Sequence, residues 1–305
     1  MRQVIRGIGK ALITVGILIL LFVAYQLWGT GIYTARAQNR LQSQFEDALR
    51  TSSLPSTTVT TAPVPPEVAT TTTTTTVPPP PPSVPDGDAI AHLVVPKVGI
   101  DAYVVQGVDE SDLRAGPGHY PATPLPGQSG NASIAGHRTT YGAPFGELDG
   151  LEPGDRIRVT TLQGSFEYSV YEKFVVSPSA LDVLDPDPAR AATLTLTTCH
   201  PKYSAAQRLV VKADLVLPPG AQPLPPSVDP VDAPEVVVKT ALSGDSSSNT
   251  PTILAGLVTA LIGGLWWLLF HRHPRWTTWL IGAIPFAVAL FTFYFLFERI
   301  LPANY

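Results

Sequence analysis

Residues 155–176 read DRIRVTTLQGSFEYSVYEKFVV, and this stretch decides the fold class of the domain around it. Two segments rich in valine, threonine and tyrosine flank the pair Gln163-Gly164, a pattern that predicts a β-hairpin. Outward from the hairpin, similar short segments divided by glycine and proline predict strands at 91–95, 132–135, 193–198 and 208–216. Residues 179–184 and 186–191 allow only short helical turns. We therefore predict a mainly β domain over 88–217, with a closed or nearly closed barrel as its architecture.

Three apolar runs lie outside this domain, at 11–28, 252–270 and 276–297, and each is long enough to span the hydrocarbon layer. Basic residues precede the first run, and the turn 271–275 between the other two is also basic. Because cytoplasmic flanks carry the excess of lysine and arginine, the chain is predicted to be a multi-pass protein of the cell membrane, with three transmembrane helices and residues 29–249 outside the cytoplasm. A cleaved signal peptide is the alternative, since 35–37 has a small-x-small form. The length of the first run favours a retained anchor.

Two polar segments join these parts of the chain. Residues 51–86 contain a threonine run and a proline run, which cannot bury a core, so we expect a disordered stalk. The predicted order is a cytoplasmic N-terminus (1–10), a transmembrane anchor (11–28), an extracytoplasmic stalk with a Thr/Pro-rich linker (29–87), the β domain (88–217), a linker (218–251), a transmembrane helix (252–270), a cytoplasmic turn (271–275), a transmembrane helix (276–297) and an extracytoplasmic tail (298–305).

Composition excludes several classes of function. The net charge is −4, and no basic cluster lies outside the predicted membrane segments, so nucleic acid is not an expected partner. The sequence has no phosphate-cradling glycine loop and no cysteine-histidine spacing typical of a metal site. We therefore predict no cofactor and no metal.

Cys199 is the only cysteine, so it cannot form an intramolecular disulfide in the exported compartment. It follows the alternating segment 193–198 and comes just before Pro201, which puts its sulfur at the end of a strand. A cysteine nucleophile works as its thiolate and needs a nearby base or positive charge. Without such neighbours, the default interpretation is a buried cysteine that acts as a small hydrophobe.

His137 is the best candidate for the base, because it follows the small-residue segment 131–136 and so stands at another strand end. His200 is adjacent in sequence to Cys199, but successive side chains of a strand point to opposite faces. His92 lies within the first strand and is expected to be structural. A surface or capping role remains the alternative for His137 taken alone.

Arg208 opens the strand after Cys199 and supplies a charge near the nucleophile. Arginine stays protonated and offers a fixed fork of donors, which suits an oxyanion that develops during acyl transfer. A salt bridge at the rim of the barrel is the alternative. Cysteine, histidine and arginine at strand ends of one small exported domain form a complete set for acyl transfer.

Two motifs of this chain resemble those of sortases. Residues 131–138, with the run IAGHR at 134–138, are similar to the histidine motif of that family, and TLTTC at 195–199 is similar to its cysteine motif. Arg208 stands where sortases carry their arginine, and the likeness extends over 89–217, including GPGHYP at 116–121. The run CHPKYS, the loop TTYG and the long Thr/Pro stalk look like the class E housekeeping sortases of actinobacteria.

This resemblance implies an eight-stranded sortase barrel and a mechanism. Cys199 is expected to attack the Thr-Gly bond of a C-terminal sorting signal of LAxTG or LPxTG type in a secreted protein, and an amine of the peptidoglycan precursor then resolves the thioester. His137 is expected to transfer the protons and Arg208 to stabilise the oxyanion. Substrate contacts are expected from Thr198, Tyr141 and His119.

Two other functions fit parts of the sequence. An exported cysteine transpeptidase of the L,D-transpeptidase type also orders histidine before cysteine, but its cysteine should follow a Ser-x-Gly pattern, which residues 197–199 lack. A catalytically silent module that binds wall polymer is the alternative from another class. The presence of Cys199, His137 and Arg208 together favours the enzyme.

Overall fold

The computed structural model describes residues 2–52, 84–226, 250–270 and 276–298. The predicted turn 271–275, the tail from 299 and most of both predicted linkers (53–83 and 227–249) lie outside the described residues. The helices are α1 (Arg2–Ala24), α2 (Thr30–Ser52), α3 (Glu110–Ala115), α4 (Thr250–Phe270) and α5 (Trp276–Glu298). The strands are β1 (Ala89–Val95), β2 (Ile100–Gln106), β3 (Gly118–His119), β4 (Gly130–Ala135), β5 (Arg156–Thr161), β6 (Gly164–Val176), β7 (Ala192–His200) and β8 (Gln207–Leu215).

The eight strands form a closed barrel in the order β1-β2-β3-β4-β7-β8-β6-β5, and β5 pairs with β1 to close it. The pairs β2–β3 and β4–β7 are parallel, and the other neighbours are antiparallel. The hairpin of β5 and β6 is the one predicted from residues 155–176. This architecture confirms the predicted mainly β barrel.

The barrel interior is filled by side chains from strands that alternate between inward and outward positions. Leu93, Ile134, Tyr168, Leu194 and Leu196 are fully buried in one continuous core. The buried Tyr168 hydroxyl accepts a hydrogen bond of 2.7 Å from the backbone of Gly127, so its polar end is satisfied. The interior is therefore a packed core and leaves the chemistry to the rim of the barrel.

Six strands appear where the residue pattern predicted them, while β2 and β3 were not predicted individually. β3 has two residues and exists only through its pairing with β2 and β4. β2 loses its alternation at Val104 and Val105, which are both fully buried. Val105 faces outward from the barrel onto α2, where it packs with Ala37 and Leu41.

Helix α2 lies within the predicted stalk (29–87), almost entirely ahead of the Thr/Pro-rich segment, and the residue pattern did not predict it. It follows α1 through a π-helical turn, Tyr25–Gly29, and lies on the outside of the barrel. Its buried residues recur at helical spacing: Thr30, Thr34, Ala37, Leu41 and Phe45. Threonine and alanine made this stripe inconspicuous, because a helix that lies on a strand edge can use small residues for a close approach.

Among the described residues, one helical stretch is both long and apolar enough to cross a membrane by itself, Thr250–Leu269 in α4. The apolar stretches of α1 and α5 are shorter, Leu12–Ala24 and Gly282–Phe297. The three predicted spans are therefore not confirmed by length and composition, and two of them stay predictions. The three helices do contact one another: the Tyr294 hydroxyl donates to the Leu18 carbonyl at 2.7 Å, and the Thr252 hydroxyl donates to the Leu296 carbonyl at 2.9 Å.

Candidate active site

The three residues singled out for acyl transfer line one cleft at the rim of the barrel. Cys199 is the last but one residue of β7 and lies directly opposite Arg208 of the antiparallel β8. His137 comes two residues after β4, which runs parallel to β7 with Ala135 opposite Thr197. Since parallel strands end at the same edge, the pairing of β4 with β7 brings His137 to the end of the barrel that carries Cys199.

The register of β4 against β7 is held by a buried asparagine. The hydroxyl groups of Thr193 and Thr195 donate to the side-chain oxygen of Asn131 at 3.0 and 2.7 Å, and the Asn131 amide donates to the Val183 carbonyl at 3.1 Å. Asn131 is 1% exposed, so each of these bonds forms away from water. A slip of one residue would leave buried polar groups without partners, which costs about 1–3 kcal/mol for each. This network fixes where His137 and Cys199 stand along the barrel axis.

A close approach of backbone to ring shapes the turn before His137. A Cβ atom on Gly136 would lie 2.7 Å from the Phe145 ring, so a larger residue would displace that ring. Phe145 is fully buried, and its backbone N–H donates to the His137 carbonyl at 3.0 Å. The loop from His137 to Phe145 is thus closed at its base by packing and by a hydrogen bond.

The Cys199 thiol is partly buried, and burial raises its pKa above the ordinary value. The positive charges of Arg208 and Arg138 lower this pKa, but they do not fully offset the burial. The resting site therefore favours the thiol at neutral pH. A thiolate, which is the reactive form, needs a proton acceptor beside it, and His137 lines the same cleft.

The guanidinium of Arg208 is anchored at the rim. Its Nη1 atom donates to the carbonyls of Ala205 and Gln207, both at 3.2 Å. Both acceptors are backbone oxygens of the turn that leads into β8, so these bonds orient the fork without neutralising its charge. No ion pair to Arg208 is formed within the described residues, in contrast to the rim salt bridge that was the alternative interpretation.

The ring of His137 is 9% exposed and is held by its own loop. The Thr140 hydroxyl lies 3.4 Å from Nδ1, and the Tyr141 ring packs against the imidazole with 5.0 Å between ring centroids. These contacts define one orientation of the imidazole within the cleft.

Arg138 is a site residue that was not assigned a role from the sequence, although it follows His137 directly. Its Nη1 atom lies 3.1 Å from both the Cys199 carbonyl and the His200 Nδ1 atom, and its Nη2 atom pairs with Asp149 at 2.9 Å. The side chain is 3% exposed. Arg138 therefore ties the backbone of the nucleophile to the loop that follows His137, and its charge acts on the Cys199 pKa.

Tyr120 also lines the cleft and was not predicted. Burial raises the pKa of its phenol, while a hydrogen bond from Thr197 and the charge of Arg208 lower it. Tyr120 belongs to the run GPGHYP, and the pairing of β3 with β4 brings it into the cleft that Cys199 lines. No pattern within the strand indicated this contact.

The three expected substrate contacts fall in different surroundings. Thr198 lines the cleft, but it is 3% exposed and its hydroxyl donates to the Gly136 carbonyl at 2.7 Å. Tyr141 is 8% exposed and packs beside His137. His119 is fully enclosed: Nδ1 lies 2.9 Å from the Gln106 side-chain oxygen, and Nε2 lies 3.0 Å from the Pro124 carbonyl.

The position of His119 does not support a contact with substrate, because its ring has almost no exposed surface. Burial lowers the pKa of His119 to about 4, partly opposed by the bond to the Pro124 carbonyl. His119 is thus a neutral polar residue of the barrel. The ring is enclosed because β3 lies between β2 and β4. The sequence pattern alone did not reveal this position.

The other histidines of the domain are held elsewhere. His92 Nε2 lies 2.7 Å from Asp101, and the ring stacks on Tyr103 at 4.5 Å between centroids, as expected for a structural residue. His200 faces Arg138, so its proximity to Cys199 in sequence does not place it in the cleft. Among the described residues, no group of three or more His, Cys, Asp and Glu side chains could hold a metal ion.

Comparison with known proteins gives consistent matches. A family model described as the sortase domain matches residues 93–216. The chain is 32% identical over 225 residues to sortase SrtE1 of Streptomyces coelicolor, and the alignment covers 69% of this chain and 57% of that relative. It is 33% identical over 88 residues to the Bacillus subtilis protein named "Putative sortase YwpE", and the alignment covers 28% of this chain and 84% of that relative. A solved structure of sortase E from Streptomyces avermitilis matches with 34% identity, 44% of this chain, 91% of that chain and a TM-score of 0.39. The chain thus spans little more than half the length of SrtE1.

Proposed function

This chain belongs to the sortase family, and we propose that it cleaves the Thr-Gly bond of a C-terminal sorting signal and transfers the protein, through the carbonyl group of that threonine, to an amine of the peptidoglycan precursor. The observation that carries the proposal is the cross-strand pair of Cys199 and Arg208 in the cleft that His137 also lines. A nucleophile, a proton carrier and a fixed cation in one cleft are the parts that acyl transfer needs.

In the acylation half, the Cys199 thiol gives its proton to His137, the sulfur attacks the threonine carbonyl carbon, and the carbonyl oxygen becomes an oxyanion. Arg208 stabilises that charge, since its fork is held at the rim by two backbone carbonyls. Collapse of the intermediate breaks the C–N bond, and His137 protonates the departing glycine amine. The products are a thioester on Cys199 and a free amine.

In the second half, the acceptor amine attacks the thioester carbonyl, and His137 removes a proton from it. The C–S bond breaks, the Cys199 thiolate leaves, and a new amide forms. Arg208 stabilises the oxyanion that forms in each of the two half-reactions. The raised pKa of the Cys199 thiol means that substrate binding, which excludes water and places His137, has to favour the reactive ion pair.

For the substrate, we propose a sorting signal of LAxTG or LPxTG type, as in class E, on a secreted protein. Likeness to sortase SrtE1 supports the class. Thr198 and Tyr141 remain proposed substrate contacts. The Thr198 hydroxyl donates its proton to the Gly136 carbonyl, so its oxygen can still accept a hydrogen bond from the substrate. Tyr141 can contribute the edge of its ring beside His137. His119 is withdrawn from the proposed set.

The proposed location is the cell membrane, with the barrel on the extracytoplasmic side and three spans. Hydrogen bonds between the apolar helices support a bundle. In each bond a side-chain hydroxyl of one helix donates to a backbone carbonyl of another, between α1 and α5 and between α4 and α5. The basic turn between the last two spans supports the sidedness.

The test is to incubate the full chain in detergent with sorting-signal peptides and an amine acceptor. Wild type should accumulate a thioester adduct on Cys199, visible by mass spectrometry, and should exchange glycine for the amine. The Cys199→Ala variant should lose both activities while the barrel stays folded, because alanine removes only a small side chain.

A peptidoglycan stem peptide serves as the comparison substrate. Cleavage of the stem peptide rather than the sorting signal would favour an L,D-transpeptidase. Absence of an adduct with either peptide, from a wild-type protein whose thiol reacts with iodoacetamide, would favour a silent binding module.

A further inference from the structure

Helix α2 is built into the barrel rather than merely connected to it. The side chain of Gln38 pairs with the backbone of Tyr103 in both directions: Nε2 donates to the carbonyl at 3.0 Å, and Oε1 accepts from the N–H at 2.8 Å. Nε2 also donates to the Ala115 carbonyl at 2.9 Å. The buried residues Leu41 and Phe45 pack below this point. Polar and apolar contacts together give the helix one defined position.

The first turn of α2 reaches the loop that follows His137. The Thr30 hydroxyl accepts a hydrogen bond of 3.0 Å from the backbone N–H of Tyr141 and donates one of 2.8 Å to the Gln26 carbonyl. Thr30 is 2% exposed. One turn further along, the Thr34 hydroxyl donates to the Arg114 carbonyl at 2.9 Å.

Tyr141 has an unusual backbone conformation at this contact. Its φ is 52°, a left-handed value that an aromatic residue rarely adopts and that costs about 1–2 kcal/mol. A strained residue of this kind persists only where its surroundings hold it. The hydrogen bond to Thr30 is one such restraint, and the turn bond from the Ala143 N–H to the Thr140 carbonyl, at 2.8 Å, is another.

Tyr141 in turn is in contact with the proton carrier. Its ring centroid lies 5.0 Å from that of His137, and its neighbour Thr140 places a hydroxyl 3.4 Å from the His137 Nδ1 atom. A chain of direct contacts therefore runs from Thr30 through Tyr141 to His137. Displacement of a catalytic group by about 1 Å can cost on the order of a hundredfold in rate.

We propose that Thr30, at the start of the helix that continues the membrane anchor, is a positioning residue that sets the orientation of His137 through Tyr141. The inference rests on the proposed function, in which His137 moves protons to and from amines. We expect a barrel cut free of α2 to keep the strand pairing of Cys199 with Arg208 but to lose this restraint on His137, because the Thr30 hydroxyl bonds to the backbone of Tyr141 in the loop that follows His137.

The test compares Thr30→Val, which keeps the branched shape but removes the acceptor, with Thr30→Ser, which keeps the hydroxyl. The full chain is used in detergent, with two matched substrates: the sorting-signal peptide amide and the same peptide as an activated aryl ester. The ester leaving group needs no proton from His137, whereas the amide does. Thr34→Val is the control, because it removes a buried hydroxyl from the same face without touching the backbone of Tyr141.

We expect Thr30→Val to slow single-turnover acylation by the amide roughly tenfold to a hundredfold, with ester acylation within about twofold of wild type. Thr30→Ser should restore the amide rate, and Thr34→Val should change both substrates equally. An equal loss with amide and ester in Thr30→Val, an amide rate close to wild type, or failure of Thr30→Ser to rescue would each refute the positioning role. If Thr34→Val slowed amide acylation relative to ester acylation as much as Thr30→Val does, the docking of the helix in general would matter and the specific role of Thr30 would be refuted.

A readout without substrate separates this inference from the proposed function. Deuterium exchange at the C2 position of the His137 ring and at the Tyr141 backbone amide should be faster in Thr30→Val than in wild type and unchanged in Thr30→Ser. Unchanged exchange in Thr30→Val would refute the proposal even if no peptide were ever cleaved. If wild type leaves the sorting-signal peptide intact while the exchange behaves as expected, the proposed substrate has failed and the positioning contact stands.

Discussion

Arg138 should hold the backbone of the nucleophile, and its replacement tests how the cleft is built. We expect Arg138→Met to destabilise the barrel and to slow acylation, with Arg138→Lys intermediate in both. Methionine keeps much of the length of the side chain but removes every donor. Lysine keeps the charge but has a single ammonium, which cannot reach the Cys199 carbonyl, His200 and Asp149 together.

The contacts set the size of the effect. The Cys199 carbonyl loses its side-chain donor in Arg138→Met at a site where the arginine is 3% exposed, and an acceptor left unsatisfied there costs about 1–3 kcal/mol. The pair with Asp149 adds little, at most about 1 kcal/mol, since that carboxylate is 52% exposed and regains water. We therefore expect about 1–4 kcal/mol in total for Arg138→Met and a smaller loss for Arg138→Lys, which can keep one of the bonds.

Electrostatics separates the two variants further. The Arg138 charge lowers the pKa of the Cys199 thiol, so Arg138→Met should move that pKa upward and Arg138→Lys should move it less. Pulse alkylation of Cys199 reports both quantities, because it is the only cysteine. Its rate against pH in native protein gives the thiol pKa, and its dependence on urea gives the unfolding midpoint. The five tryptophans, at 28, 266, 267, 276 and 279, lie outside the barrel, so their fluorescence is a control for the helices.

Two results together would refute this reasoning. One is an unfolding free energy for Arg138→Met within about 0.5 kcal/mol of wild type, as is typical of a neutral surface site, and the other is an alkylation profile against pH that is not shifted from that of wild type. It would mean that the rim of β7 is held by the sheet alone. Gln42→Met is a matched control, because it removes a polar side chain from an exposed site on α2 that bonds only to its own helix.

Three further predictions concern oxyanion stabilisation, acid stability and topology. Arg208→Lys should be a poor rescue of Arg208→Ala, with single-turnover acylation reduced about a hundredfold to a thousandfold and little change in unfolding midpoint; a normal rate with a lowered midpoint would make Arg208 structural. His119 has a folded pKa of about 4, below its ordinary value of 6.5, so its contribution to stability is present above pH 6.5 and is lost as the pH falls through 4. That contribution is on the order of 3 kcal/mol, so the wild-type unfolding free energy should fall more steeply than that of His119→Gln over this window, and parallel curves would contradict the assignment. A reporter fused at the C-terminus should behave as extracytoplasmic and one inserted at Arg272 as cytoplasmic; a cytoplasmic C-terminus would exclude three spans.

Much of the barrel could be predicted from residue patterns because a half-buried strand alternates its side chains. Strand β5 of the hairpin shows this alternation between exposed and buried residues. β7 alternates threonine with leucine in sequence, although residues 192–198 are all buried. β2 escaped prediction because α2 covers its outer face near Val105, so both faces are buried and the alternation disappears. The buried stripe on α2 was not predicted because small residues, Thr30, Thr34 and Ala37, hold three of its five positions.

The proposed catalytic residues could also be identified as candidates from the sequence alone. Cys199, His137 and Arg208 each follow or open a β-pattern, and each has a chemistry that few other residues of the domain share. Their order and neighbours resembled one family strongly enough to suggest roles. That information is local, since it depends only on residue type and on the strand next to it.

The sequence alone therefore indicated the class of fold and the candidate chemistry, because period and residue type are properties of short segments. The direction of the chain across the membrane stays a prediction from flanking charge. Only the tertiary structure decided which residues meet. The parallel pairing of β4 with β7 joins His137 to Cys199 across 62 positions of chain, counted as 199 minus 137, and the folding of α2 onto the barrel joins Thr30 to Tyr141. The pairing of β3 with β4 encloses His119, which is 1% exposed and does not line the cleft. Contacts between distant segments depend on how buried surfaces fit one another, and no local pattern records that fit.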